Sequence, residues 1–509
     1  MMDQFVSFLI ELCSPLSVHA PALLVVVPLI ASGVCAFLPN GRLAWLFSVL
    51  ITGFSTLCSI ALLAEVHNLG TLSYAMGGWQ PPLGIEFRID ALNGLILLLV
   101  CFIGLIASIF SWPTVNAEIR AAKHPLFYAA YLICFTGLAG VAITGDAFNL
   151  FVFLEISSIA TYVLVGLGAG RDRRALPAAF NYLIMGTIGA TFFVIGVGFL
   201  YGVTGTLNMV DLQERLLDLQ DNRAVLAGFA FIVVGLGIKA AMWPLHQWLP
   251  NAYAYSPSFV TVFLSATATK VALYALVRFV FVIFGYEFSL DVLALGPLFT
   301  ALALAAMVIC SFQAVFQTDV RRMLAYSSVA QVGYMLLGIS LGTLIGVSAG
   351  LFHLVNHALM KGALFIGVAG IVLTYQGTRL DDFNGVGRSA PWTMTAFAIC
   401  ALSLIGVPLT AGFQSKLVLL QAVFEQGWWW AAALIVFSSV LAVIYMGRVL
   451  EAVFFKAPTN PQKIHKEAPL LILLPLWVLA LANLYIGVQS GEVLGLTEAA
   501  AKAALGGVR

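Results

Sequence analysis

The sequence predicts an all-α polytopic membrane protein of about fourteen transmembrane helices. Two inverted five-helix repeats are expected within it, with discontinuous helices 7 and 12. Three observations carry this expectation. Of 509 residues, 61% are hydrophobic and 9% charged, against about 25% charged in an ordinary globular chain; mean hydropathy is +1.01. The apolar residues fall into stretches long enough to cross a bilayer, and the cations between them alternate in density. A faint self-similarity pairs residues five spans apart.

The expected spans are 20–38, 43–64, 91–110, 126–143, 147–168, 178–202, 225–243, 257–283, 290–314, 323–341, 344–374, 392–422, 428–450 and 468–488, since about 20 mostly apolar residues make a helical crossing. Residues 5–18 are amphiphilic and too short to cross. The N-terminal stretch has no Lys or Arg ahead of its apolar part, so no signal-peptide pattern is expected there.

The cations test the count. One set of alternate connections holds Arg42, Arg120, Lys123, Arg171, Arg173, Arg174, Arg321, Arg322, Arg379, Arg388, Arg448, Lys456, Lys463 and Lys466, which is 14; the other holds Arg88, Arg215, Arg223, Lys502 and Arg509, which is 5. That asymmetry follows the positive-inside rule and sets both termini outside, in the cell membrane. The expected organisation is helices 1–3 over 1–125, a first inverted repeat of helices 4–8 over 126–283, a second of helices 9–13 over 290–455, and helix 14 with the tail over 456–509.

Other classes fall away. A net charge of +1 with no basic run leaves nucleic acid without an electrostatic footprint. Cys13, Cys35, Cys58, Cys101, Cys134, Cys310 and Cys400 are scattered, mostly apolar-flanked and without a CxxC pair, and read as small packing residues. Gly235-x-Gly237-x-x-Ala240 matches a dinucleotide fingerprint by letter but lies inside a membrane helix, where the required strand-to-helix turn is absent. No cofactor, metal site or catalytic constellation is expected.

The informative charges are those left inside the spans: Lys239, Lys270, Arg278, Lys361, Lys416 and, deep in helix 5, Glu155. Each costs about 2.5–3.5 kcal/mol on insertion scales, so such residues are rare and functional by default. Arg278 is near a helix end and is expected to snorkel to the outer interface. His353, His357 and Lys361 recur every four residues and so line one helix stripe, like stepping stones for a proton. Lys239 precedes Pro244, and Lys416 follows Pro408 and Gly412, so both belong to interrupted helices. Paired broken helices are the sequence mark of a transport site, and their freed backbone groups need protein or water around them.

The repeat is co-linear. Ser157-Ser158-Ile-Ala160 echoes Ser327-Ser328-Val-Ala330, Asn181-Tyr-Leu-Ile-Met185 echoes Asn356-His-Ala-Leu-Met360, and Lys239 falls near Lys416. Five spans separate the partners, and an odd number inverts one unit against the other.

TGDAFNLFVFLEISSIATYVLVGLG, FNYLIMGTIGATFFVIGVGFLYGVTGTLNMVDL, WPLHQWLPNAYAYSPSFVTVFLSATATKVALY, RRMLAYSSVAQVGY and HLVNHALMKGALF resemble the D subunits of Mrp-type multisubunit sodium/proton antiporters. The wider superfamily includes antiporter-like proton-pumping subunits of respiratory complex I and of membrane-bound hydrogenases. The likeness runs from about residue 85 to 455. It implies that Glu155 is the fifth-helix glutamate, Lys239 the lysine of the broken seventh helix, and Lys270 the eighth-helix bridge between half-channels. His353, His357 and Lys361 would lie on the central hydrophilic axis, and Lys416 would be the lysine of the broken twelfth helix.

A lysine in a dry site loses proton affinity and a nearby carboxylate restores it. Glu155 is therefore expected to toggle Lys239, the proton passing by Lys270 and the histidine stripe to Lys416. Protons, sodium, the bilayer and other membrane subunits are the expected partners. A redox-driven complex would use the same channel chemistry and stays open as the alternative. Gly342-x-x-x-Gly346-x-x-x-Gly350 is a close-packing pattern that fits either a partner or an internal contact.

Overall fold

The computed structural model describes residues 18–375, 377–458 and 466–506; Cys13, most of the 5–18 stretch, Lys463 and Arg509 lie outside them. Among the described residues, eleven helices are long and apolar enough to cross a membrane. The remaining expected crossings are shorter helices: Ala20–Ala36 with 17 residues, and Arg223–Lys239 and Pro391–Ile405, with 17 and 15, which end at interruptions.

In chain order, α1 (Ala20–Ala36) and α2 (Gly41–Leu69) lead to a small hairpin, β1 (Leu72–Ala75) with β2 (Glu86–Ile89), antiparallel with Ser73 opposite Arg88. This hairpin is the one sheet among the described residues, which otherwise pair strand-fashion only at isolated bridges such as Asp146 with Asn208. Then follow α3 (Ala91–Glu118), α4 (His124–Ile143), α5 (Ala147–Gly166), α6 (Ala175–Thr204), the short α7 (Met209–Leu216) and α8 (Arg223–Lys239). Next come α9 (Trp248–Tyr255), α10 (Ser258–Ala266), α11 (Ala268–Val277), α12 (Leu295–Val315), α13 (Val320–Ser340) and α14 (Leu344–Tyr375). The chain closes with α15 (Pro391–Ile405), α16 (Ala411–Glu425), α17 (Trp429–Phe454), α18 (Leu470–Val488) and α19 (Gly491–Ala504).

Short polar residues start several of these helices by accepting from their first free N–H groups. Asp90 bonds the N–H of Leu92 and Asn93, Asp146 that of Asn149, Asn208 those of Val210 and Asp211, and Asp319 that of Arg322.

The connections sort into two faces. On one, the Gly145 N–H bonds the Glu86 carbonyl, the Met209 N–H bonds the Gly145 carbonyl, and the Asn208 amide reaches the Glu86 carboxylate at 2.7 Å. On the other, the Ser258 N–H bonds the Glu118 carboxylate at 2.7 Å, Arg171 lies 3.3 Å from that carboxylate, and the Val320 N–H bonds the Thr378 carbonyl. In the loop on that face Arg174 hydrogen-bonds both oxygens of Asp172, holding its carboxyl below the usual range. These groupings agree with the alternation expected from the cations.

Three expectations need correction, and one left open is settled. The span 225–243 ends at Lys239, because a turn with Ala241 at φ +54 and Pro244 occupies 240–247. The span 257–283 is not continuous: Thr267 (φ −122, ψ −57) separates α10 from α11, and Arg278–Ile283 winds more widely as a π-helix. The helix expected from residue 290 begins only at Leu295, after Ala294 in the left-handed region. The close-packing glycines serve an internal contact. A side chain at Gly346 or Gly350 would strike the α13 backbone, at the Gly338 carbonyl (2.9 Å) or the Met335 carbonyl (2.8 Å), while Gly342 makes the turn at φ +64.

The α14 helix is buried along almost its whole length. It forms the central post, against which α10, α13, α15, α16 and α18 pack.

Candidate functional site

Glu155 projects from the middle of α5 and Lys239 from the last turn of α8. The Lys239 ammonium lies 3.3 Å from a Glu155 oxygen and donates to the Ser158 hydroxyl at 2.6 Å. Lys239 is buried, whereas the Glu155 side chain keeps 22% of its surface open. The lysine is the helix's final residue, so its charge sits at the negative end of the α8 dipole. Trp248 reaches back across the break and donates to the Ile238 carbonyl at 3.0 Å. Pro244 therefore does not kink a continuous helix; it lies within an interruption that runs from 240 to 247.

Beside Lys239, a cavity of about 20 Å³ lined by Ser158, Thr161, Tyr182, Ala268 and Val271 separates it from α11. That is room for a single water. On α11, Lys270 is fully buried and donates to the Ser265 carbonyl across the Thr267 break, and to the Thr269 hydroxyl at 3.4 Å. Lys270 is within electrostatic reach of His353, His357 and Lys361.

The α14 stripe behaves as its spacing predicts. The rings of His353 and His357 stack with centroids 6.3 Å apart. His353 is held at both nitrogens, by Ser415 at 2.9 Å and Gln331 at 2.8 Å. Among the described residues His357 has no hydrogen-bond partner at either nitrogen. Lys361 donates to the Leu324 carbonyl at 2.8 Å and to the Ser327 hydroxyl. All three are completely buried.

Lys416, on α16, donates to the carbonyls of Leu404 (3.1 Å) and Ile405 (2.9 Å) and to the Ser439 hydroxyl (3.1 Å), and lies 5.1 Å from the Tyr334 ring centre. It thus closes the orphan carbonyls at the end of α15. The break around Pro408 is made by Gly406 (φ +96) and Leu409 (φ +71). Gly412 lies just beyond the break, inside α16, where its backbone N–H bonds the Ser403 hydroxyl and a Cβ would lie 1.9 Å from the Ser403 carbonyl. Its role is close approach of the two half-helices.

Two features escape the sequence. Hydroxyl and amide groups hold the ionisable heads: Ser158, Ser327 and Ser439 on lysines, Gln331 and Ser415 on His353. Ser158 and Ser327 belong to the repeated Ser-Ser pairs, which is the available signal. Arg278 does not snorkel: it is buried and pairs with Asp90 through two bonds of 2.6 and 2.9 Å.

A family model described as NADH:quinone oxidoreductase/Mrp antiporter, TM matches residues 144–442. The chain is 39% identical to NADH-quinone oxidoreductase subunit N of Desulforudis audaxviator, over 94% of this chain and 97% of that one. It is 31% identical to the D subunit of the Na(+)/H(+) antiporter of Alkalihalophilus pseudofirmus, covering 74% and 75%. Among solved structures, a chain of an archaeal membrane-bound sulfane sulfur reductase, a respiratory membrane complex, superposes with a TM-score of 0.87 at 33% identity, covering 95% and 97%. The central helices, the two interrupted ones and both lysines beside the interruptions fall within the matched region. This chain is a multi-pass membrane protein belonging to the NADH:quinone oxidoreductase/Mrp antiporter transmembrane family.

Proposed function

We propose that this chain is the proton-conducting subunit of a multisubunit monovalent cation/proton antiporter, with sodium as the exchanged cation. The carrying observation is the row Glu155, Lys239, Lys270, His357, His353 and Lys416, with Lys361 beside it. All but the partly open Glu155 are buried among the helices, and beyond Lys239 the hydrogen bonds of Lys270, His353, Lys361 and Lys416 go to neutral groups rather than carboxylates. An uncompensated charge is expensive in that setting, so a mobile proton shared among several bases suits the row better than fixed ions.

Glu155 starts the transfer. Its approach to Lys239 favours the charged ammonium, and its withdrawal releases the proton toward the small cavity and Lys270. The stacked pair His357 and His353 carries it on to the Ser415 hydroxyl beside Lys416. Moving one charge across 100 mV involves about 2.3 kcal/mol, within reach of a single ion pair made or broken. The inverted-repeat boundaries at 126–283 and 290–455 fit this reading, with a lysine beside an interruption in each unit, Lys239 in the first and Lys416 in the second. The cation asymmetry supports both termini outside in the cell membrane.

A second reading has a specific observation in its favour. Identity to the oxidoreductase N subunit is higher than to the antiporter D subunit, which supports proton pumping in a redox-driven complex. Purification of the intact complex separates the two. Only further membrane subunits, with sodium-driven proton movement in proteoliposomes, support the antiporter; iron–sulfur or flavin subunits support the oxidoreductase. In either case Glu155→Ala is expected to abolish proton transport in an assembled complex, and normal transport by that variant overturns the proton path.

A further inference from the structure

A cavity of about 530 Å³ opens on the face where the connections 70–90, 144–146 and 205–222 meet. Asp90 and Arg278 line it, Gln213 of α7 forms a side, and Lys502 and Leu505 at the end of α19 border it. Asp90 is the cap of α3 and faces Arg278 through two hydrogen bonds. The guanidinium Nε of Arg278 in turn donates to the Tyr274 hydroxyl at 3.3 Å, and that hydroxyl donates to the Ala142 carbonyl.

Lys270, Tyr274 and Arg278 follow one another at four-residue spacing, so they mark one stripe from the central row to this cavity. A fastening between α3 and α11 needs only the ion pair. It does not need beside it a space for on the order of fifteen waters.

We propose that this cavity is a water-filled port of the proton path, lined by the Asp90–Arg278 pair and reached from Lys270 past Tyr274. The inference rests on the proton-conduction reading. In this conformation Lys270 is turned back to the Ser265 carbonyl. Rotation of its side chain carries the ammonium toward Tyr274, whose hydroxyl orients the water that takes the proton. Lysine is left neutral until it is reloaded, so the port is a branch by which Lys270 exchanges protons with the water of the cavity while the row continues through His357, and the pair stays ionised. Its opposite charges cancel, so it neither traps the proton nor repels it.

The test uses Gln213→Cys in the assembled complex, treated from each side with membrane-impermeant 2-sulfonatoethyl methanethiosulfonate. Glu214→Cys, exposed next door and outside the cavity lining, and unsubstituted protein serve as controls. Modification at 213 is expected to slow proton transport about tenfold, equivalent to about 1.4 kcal/mol of barrier, with no loss at 214. Tyr274→Phe is expected to slow transport with normal assembly. Three results overturn the port: full modification at 213 with unchanged transport, equal loss at 213 and 214, or no reaction at 213 from either side. Full-rate Tyr274→Phe overturns it too. Glu155→Gln, run in parallel, separates the failures. Transport by that variant removes the conduction reading itself; its inactivity beside an unaffected, modified 213 removes only the port.

Discussion

Lys239 and Glu155 stand 84 positions apart in the chain and 3.3 Å apart in the fold, and they are not equally enclosed. The ammonium is shut in among α5, α8 and the Ser158 hydroxyl, while the carboxylate keeps about a fifth of its surface open. Of the two, Glu155 has the more open surroundings. Glu155→Gln keeps the size and removes the charge, so the lysine loses its counter-ion but retains Ser158. Proton transport is expected to fall by roughly tenfold or more, the equivalent of about 1.4 kcal/mol. The amount of assembled complex should stay normal, read by proton uptake in vesicles alongside native gel analysis. Full activity in Glu155→Gln defeats the assignment.

Lys416 has a structural contact and, under the proposed function, a proton to carry, and the two separate by substitution. It closes the carbonyls of Leu404 and Ile405 at the end of α15, so Lys416→Met leaves two buried acceptors unpaired at about 1–3 kcal/mol each. Lower thermal stability is expected together with lost transport. At Lys239 the lysine donates only to side chains, Glu155 and Ser158. Lys239→Met should therefore stop transport with a smaller drop in melting temperature. Equal melting temperatures for the two variants contradict the distinction.

Asp90 and Arg278 tie α3 to the wide turn after α11. Removing one partner of a buried pair costs about 3–5 kcal/mol, whereas replacing both with packed apolar groups is often neutral. Asp90→Leu alone is thus expected to lower assembly sharply, and Asp90→Leu with Arg278→Met to restore much of it. The measurement is a double-mutant cycle on the melting temperature of the complex. Additive losses show that the two side chains do not stabilise each other.

How much of this is legible in the sequence follows from where the information lies. Spans, loop alternation and the His353–His357–Lys361 stripe are properties of adjacent letters, and they can be read directly. The break at Thr267 cannot. SATATK contains neither Pro nor Gly, and the interruption is held by Lys270 reaching the Ser265 carbonyl, a contact that exists only in the folded chain. Arg278 departs from its expected place for a related reason: its partner Asp90 is 188 positions away, so nearness to a helix end suggests water instead. Gly412 stands out in the sequence beside Pro408, yet the positive φ belongs to Gly406 and Leu409. Composition marks an interrupted helix but not which residue makes the turn.

His353 and His357 stand one turn apart and are held in opposite ways, which gives the most discriminating prediction. His353 has a partner at each nitrogen, Gln331 and Ser415, while His357 has none. An unpaired buried polar group costs about 1–3 kcal/mol. His357→Leu exchanges that group for an apolar one of similar size, so stability should hold or rise. His353→Leu instead strands Gln331 and Ser415 and should lower it. If His357 were a packing residue, its leucine variant would also transport normally. If it passes protons between Lys270 and His353, a complex that is stable, fully assembled and unable to conduct is the expected result. Melting temperature and proton uptake on the same preparation decide between them, since only the conducting role separates stability from transport at this position.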